Sequence, residues 1–217
     1  MINTYQISFK SSSSYISLNK LSSKTESIWF VFHGYGQLSK YFVRRFDVLD
    51  KEKNYIIAPQ GLSKFYLDKD YENVGASWLT KEDNKIDLQN QQNYLTELFN
   101  ELRLKIDFTK IKVNFFGFSQ GVSVFTRFLI NYNLKVDNLI LWAGWVPDEF
   151  FKINKSIIEN SNIYFVIGDE DQYYDNPILK KYIEKFKVIL DKKVDFNVFR
   201  GGHVVDRKIL KKINEKL

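Results

Sequence analysis

The feature that most narrows the fold is a set of short, nearly uninterrupted apolar runs at 27–32, 55–58, 111–116, 139–142, 163–167 and 194–199. A strand with one face in water alternates polar and apolar residues, whereas Ser27-Ile-Trp-Phe-Val-Phe32 has no polar face and needs cover on both sides. Between most of these runs lie segments with apolar residues at three- and four-residue spacing, at 38–50, 86–106, 120–133, 176–191 and 206–216. In 86–106 the residues Leu88, Tyr94, Leu95, Leu98, Leu102 and Ile106 form one helical stripe. Such alternation predicts an α/β fold: a mostly parallel central sheet flanked by helices and joined by right-handed crossovers. Residues 3–10 and 14–20, on either side of the serines at 11–14, read as an amino-terminal hairpin.

No repeat, linker or shift in composition divides the chain, so a single domain over 1–217 is expected. At 44% hydrophobic and 27% charged residues, the composition is that of a globular protein and excludes disorder. The formal charge of +6 comes mainly from scattered lysines. Its densest stretch, 208–216, falls on a helix whose other face carries Ile209, Leu210, Ile213 and Leu217, which points to a docked amphipathic helix rather than a nucleic-acid surface. The absence of cysteine excludes disulfides and thiolate metal sites. Residues 1–20 lack an apolar stretch of signal-peptide length, and no segment approaches the ~20 apolar residues of a membrane span. A cytoplasmic protein is expected, with no membrane span and no nucleic-acid partner.

In open α/β sheets ligands bind beyond the carboxyl ends of the strands, so chemistry is sought just after each apolar run. After 111–116 comes Gly117-Phe118-Ser119-Gln120-Gly121 and then a helical segment. This is a GxSxG motif in a strand-to-helix context, where a strained turn lifts the serine hydroxyl above the sheet and flanking glycines leave room for neighbouring backbone. The helix start offers the Gln120 N–H as a donor for a developing oxyanion. A serine nucleophile needs a general base, and the chain has two histidines, His33 and His203. His33 opens His33-Gly34-Tyr35-Gly36 directly after 27–32, the place of the second oxyanion donor, a role that the Tyr35 N–H fits. That leaves His203, in Gly201-Gly202-His203 after the last run, as the base. The acid must fall between serine and histidine in chain order, and the loop Gly168-Asp169-Glu170-Asp171 supplies it. No metal is called for, with two histidines on separate loops and one already assigned.

On these residues the chain resembles the phospholipase/carboxylesterase family of small α/β-hydrolases, which includes the acyl-protein thioesterases. The resemblance is carried by His33-Gly34-Tyr35-Gly36, Ser77-Trp78, Gly117 to Gly121, Leu141 to Pro147, the Gly168-x-x-Asp171 turn and His203. It implies an α/β-hydrolase fold and cofactor-free hydrolysis of a small-molecule ester or thioester, and it implies Asp171 rather than Asp169 as the acid. The sequence departs from the family at Val122, where a glycine is usual, at Gln37, where aspartate is common, and at Gln172-Tyr173-Tyr174. These positions bear on substrate choice. Phe65, Tyr66, Tyr71, Trp78, Trp142, Trp145, Tyr173 and Tyr174 fall in or beside the loops of the site. As a group they predict an apolar acyl slot, with Trp78, Trp145 and Tyr173 as substrate contacts. An acyltransferase or peptidase on the same scaffold, or a catalytically silent binding module, are the competing readings.

Overall fold

The computed structural model describes residues 1–132, 134–173 and 175–217. Asn133, where the sequence pattern ends the helix over 120–133, and Tyr174 lie outside the described residues. The strands are β1 (Tyr15–Leu18), β2 (Ser27–Phe32), β3 (Asn54–Pro59), β4 (Ser63–Tyr66), β5 (Val74–Ser77), β6 (Lys112–Phe118), β7 (Asn138–Trp142), β8 (Asn162–Gly168) and β9 (Val194–Phe199). The helices are α1 (Ser39–Phe42), α2 (Asn84–Arg103), α3 (Gln120–Asn131), α4 (Asn176–Leu190) and α5 (Arg207–Asn214). A 3-10 stretch, Val43–Val48, continues α1.

The main sheet runs β1-β3-β2-β6-β7-β8-β9, parallel throughout except for β1, which pairs antiparallel with β3. The six apolar runs are six of these strands. The expected antiparallel pair at the amino end is present with β1 as one strand, but its partner is β3, and residues 3–10 carry no regular structure. Alternation along each strand sorts the aromatic side chains into two layers. Phe30 and Phe115 pack with Phe99 of α2, and Phe115 also meets Phe125 of α3. On the opposite face Trp29 and Phe116 meet Phe46 of the 3-10 stretch, and Phe116 meets Trp142. Each fully buried side chain of this size contributes about 1.5–3 kcal/mol of burial free energy, so both faces need their helices.

Register is fixed by a polar ladder that the sequence pattern did not reveal. Asn114, Asn138 and Asn162 stand side by side on β6, β7 and β8, with Asn138 donating to Asn114 at 2.7 Å and Asn162 donating to Asn138 at 3.0 Å. A slip of one residue would turn these amides to the other face and leave them unpaired among phenylalanines. The parallel strands therefore end level, and the loops after β2, β6, β8 and β9 meet at one edge. The β4–β5 hairpin lies apart from the main sheet and joins the loop after β2 through the Gln37–Ala76 bridge.

Candidate active site

Ser119 sits between β6 and α3 with φ 53° and ψ −118°, a conformation that costs a non-glycine residue about 1–3 kcal/mol. The turn is held by Ser119 N–H donating to Trp142 O and by Val122 N–H donating to Ser119 O. Its glycines are demanded by contact. A Cβ on Gly121 would come within 2.2 Å of Phe32 O, and one on Gly117 within 2.5 Å of Val122 N. The motif spacing is thus the spacing at which two strands and a helix can approach this closely. Val122, where the family usually has glycine, is fully buried and packs over Gly144, whose own Cβ would strike the Ser119 carbonyl.

The loop after β2 lies against this turn, since a Cβ on Gly34 would fall 2.9 Å from the Phe118 ring and 3.3 Å from Ser119 Cβ. Three contacts hold it: Gly34 N–H donates to Gln37 Oε1 at 2.9 Å, Gly36 N–H to Ala76 O at 2.8 Å, and Gln37 N–H to Gly34 O at 3.3 Å. Among the described residues neither Tyr35 N–H nor Gln120 N–H has a hydrogen-bond acceptor. The Gln120 side chain accepts from Trp78 N–H at 3.0 Å and donates to Leu79 O at 2.9 Å, which ties the loop after β5 to the start of α3. His33 is fully buried. Its Nδ1 donates to Gly34 O at 2.8 Å and its Nε2 accepts from Gly61 N–H at 3.0 Å, so both nitrogens are committed in the neutral ring. Burial pushes its pKa down to about 4, against the opposing pull of the Gly34 carbonyl.

His203 lies on the far side of Ser119. Its Nδ1 is 2.7 Å from Asp171 Oδ2, and its ring packs 4.7 Å from the Phe118 ring and 5.1 Å from that of Tyr173. The Asp171 side chain is sealed from solvent, and its other oxygen accepts from Tyr173 N–H at 2.9 Å. Asp169 turns elsewhere, accepting from Gly201 N–H at 3.0 Å within the loop junction. That junction is tight: a Cβ on Gly168 would sit 2.0 Å from Gly201 O. Phe118, whose ring packs on that of His203, is the residue before Ser119, and among the described residues no hydrogen bond joins Ser119 to His203.

Burial divides the aromatic group that was read as an acyl slot. Trp78, read from sequence as a substrate contact, is 1% exposed; its indole N–H donates to His33 O at 2.9 Å, so it braces the loop after β2 from inside. Trp142 is likewise core. Trp145 is half-buried against Phe165 and Tyr182. Tyr66 and Tyr71 are exposed and pack edge-on against each other at the hairpin tip, while Phe65 packs under Tyr35 at 5.2 Å. Tyr173 remains at the site, exposed beside His203. Sequence reasoning missed Gln37 as the clamp on the loop after β2; the signal available was its place three residues after Gly34. Among the described residues no cluster of histidine, aspartate and glutamate suited to a metal ion occurs, and no helix is long and apolar enough to cross a membrane.

A mostly parallel sheet with a strained serine turn after one central strand and a histidine–aspartate pair on the loops after its last two strands defines an α/β-hydrolase. The family model for Phospholipase/Carboxylesterase matches residues 16–217, and the chain belongs to that family. None of the curated proteins matches it. Among solved structures it is similar in fold to Zea mays acyl-protein thioesterase 2, at 14% identity over 94% of this chain and 97% of that one, with a TM-score of 0.71. A phospholipase/carboxylesterase from Dyadobacter fermentans gives 15% identity, coverage of 96% and 97%, and a TM-score of 0.68. A carboxylesterase from Mesorhizobium loti gives 15% identity, coverage of 88% and 89%, and a TM-score of 0.66.

Proposed function

We propose that the protein is a serine carboxylesterase that hydrolyses carboxylic esters or thioesters through an acyl-enzyme, with Ser119 as nucleophile, His203 as base and Asp171 as the group that orients it. The observation that carries this reading is the 2.7 Å contact of His203 Nδ1 with the sealed Asp171 carboxylate, made on a ring that packs against the residue preceding Ser119. An aspartate on Nδ1 fixes that nitrogen as the donor and leaves Nε2 with its lone pair for the serine proton. Ser119 Oγ attacks the acyl carbonyl as His203 takes its proton. The oxyanion is received by the free N–H groups of Tyr35 and Gln120, each a donor whose loss typically costs ~3 kcal/mol of transition-state stabilisation. His203 then returns the proton to the leaving alcohol or thiol, and a water activated by the same imidazole releases the acid.

The test is labelling with a fluorophosphonate, followed by turnover of 4-nitrophenyl acetate, for the native protein and Ser119→Ala. A covalent adduct on Ser119 and turnover that disappears in the variant are expected, with the melting temperature lowered by no more than a few degrees. Equal turnover in Ser119→Ala would overturn the assignment. A folded protein that neither labels nor turns over would favour the binding-module reading.

A further inference from the structure

The order of the strands gives the site two sides. Asp171 and His203 follow β8 and β9 on one side of β6, while β2, β3, α1 and the β4–β5 hairpin occupy the other. In the hydrolytic cycle above, the leaving-group oxygen must face His203 to receive its proton, which directs the acyl part of the substrate toward β2 and β3. On that side an open groove of about 390 Å³ runs between α1 and the hairpin, and Gly36 and Gln37 border it. It therefore begins one residue, about 3.8 Å of chain, beyond the oxyanion donor Tyr35.

The charge of this groove is specific. Lys40 and Arg45 line it, and neither has a carboxylate within ion-pairing distance among the described residues. Glu72 is the one acid on its lining. At the border Gln37 gives Gly34 N–H the acceptor that holds the oxyanion loop without placing a negative charge there. Leu67 and Val74 add apolar wall, suited to methylenes between a reacting carbonyl and a distal anion. A guanidinium is the side chain best matched to a carboxylate, which it can grip with two parallel N–H bonds.

We propose that this groove selects acyl groups ending in a carboxylate, with Arg45 as the main anchor and Lys40 as its support. The inference rests on the esterase reading and names the substrate class for the same site. A matched pair of probes tests it: 4-nitrophenyl hydrogen adipate, and the same ester with its terminal carboxylate replaced by a carboxamide. The native protein should favour the carboxylate in kcat/KM by about tenfold or more, the range of one charge-assisted hydrogen-bonding contact. Arg45→Ala should bring the ratio close to one, and Gln37→Glu, which keeps an acceptor but adds a negative charge, should lower it as well. Arg44→Ala is the control, because Arg44 does not line the groove, so the ratio should stay at its native value. A native ratio of one or less would overturn the proposal. Equal losses in Arg44→Ala and Arg45→Ala, removed by salt, would also overturn it in favour of general steering by the positive charge of the chain. No turnover of either ester would instead overturn the hydrolase reading beneath it.

Discussion

The loops after β2 and β9 each carry one of the chain's two histidines, at the same edge of the same sheet, and their surroundings divide the labour between them. His33 is fully buried, with one nitrogen donating to Gly34 O and the other accepting from Gly61 N–H. His203 keeps about a quarter of its side chain exposed and commits only Nδ1, to Asp171. An imidazole with both nitrogens engaged can hold a loop but cannot move a proton. One with a free nitrogen, as the proposed function requires of His203, can. What distinguishes the proposed base from the brace is therefore the partner of the second nitrogen.

The largest effect expected from this contrast is a split between activity and stability. His203→Ala should lower kcat by about 10⁴ to 10⁶ with little change in melting temperature. His33→Ala should instead destabilise the fold by about 2–5 kcal/mol, since it opens a cavity and leaves Gly61 N–H unpaired. Turnover and thermal melts of the two variants check this, and turnover retained by His203→Ala would break the comparison.

The acid partner sharpens it next. Asp171→Asn should lower kcat by about 10⁴, because an amide in place of the carboxylate favours the wrong tautomer of His203. Asp169→Asn should change kcat less than about tenfold, since Asp169 holds Gly201 N–H rather than the imidazole. Steady-state kinetics on both variants decide between them; the reverse pattern would mean that the loop after β8 presents its acid one turn earlier.

The smallest effect is in the pH dependence of stability. Folded His33 takes up a proton only near pH 4, against 6.5 for the ordinary side chain, so the unfolded chain binds more protons between these values. The stability due to neutral His33 is thus complete above about pH 6.5 and falls as pH drops toward 4, by about 3 kcal/mol in all. Urea unfolding from pH 7.5 to 4 should show this loss, and the slope should flatten in His33→Gln. An unchanged slope in that variant would place the pH sensitivity elsewhere.

Much of this arrangement can be read along the chain because its causes are local. Apolar runs without a polar face require a covered sheet, and the glycines around Ser119 are fixed by the 2.2 Å and 2.5 Å approaches that a Cβ would suffer. Chain order, serine then aspartate then histidine, follows from which strand each loop leaves. The β4–β5 hairpin escaped notice because Ser63–Tyr66 and Val74–Ser77 are four residues each, too short for a period of two to stand out. The segment at 3–10 alternates well, but alternation says nothing of whether a sheet edge receives it. The burial of Trp78 and Trp142 was hidden for a related reason: an aromatic residue near a site is the same in sequence whether its ring faces solvent or core.

The sequence by itself determined a covered, mostly parallel sheet, a strained serine turn between β6 and α3, and a histidine and acidic loop late in the chain, because each follows from spacing and steric need over a few residues. The resemblance pointed to Asp171 over Asp169, but only the tertiary structure shows Asp171 against His203 and Asp169 on Gly201 N–H, Trp78 bracing from inside, and Gln37 clamping the loop after β2. Those outcomes depend on how close loops distant in sequence are brought by the packing of β2, β6, β8 and β9, and hydrogen bonds between such loops are made or missed over less than an ångström.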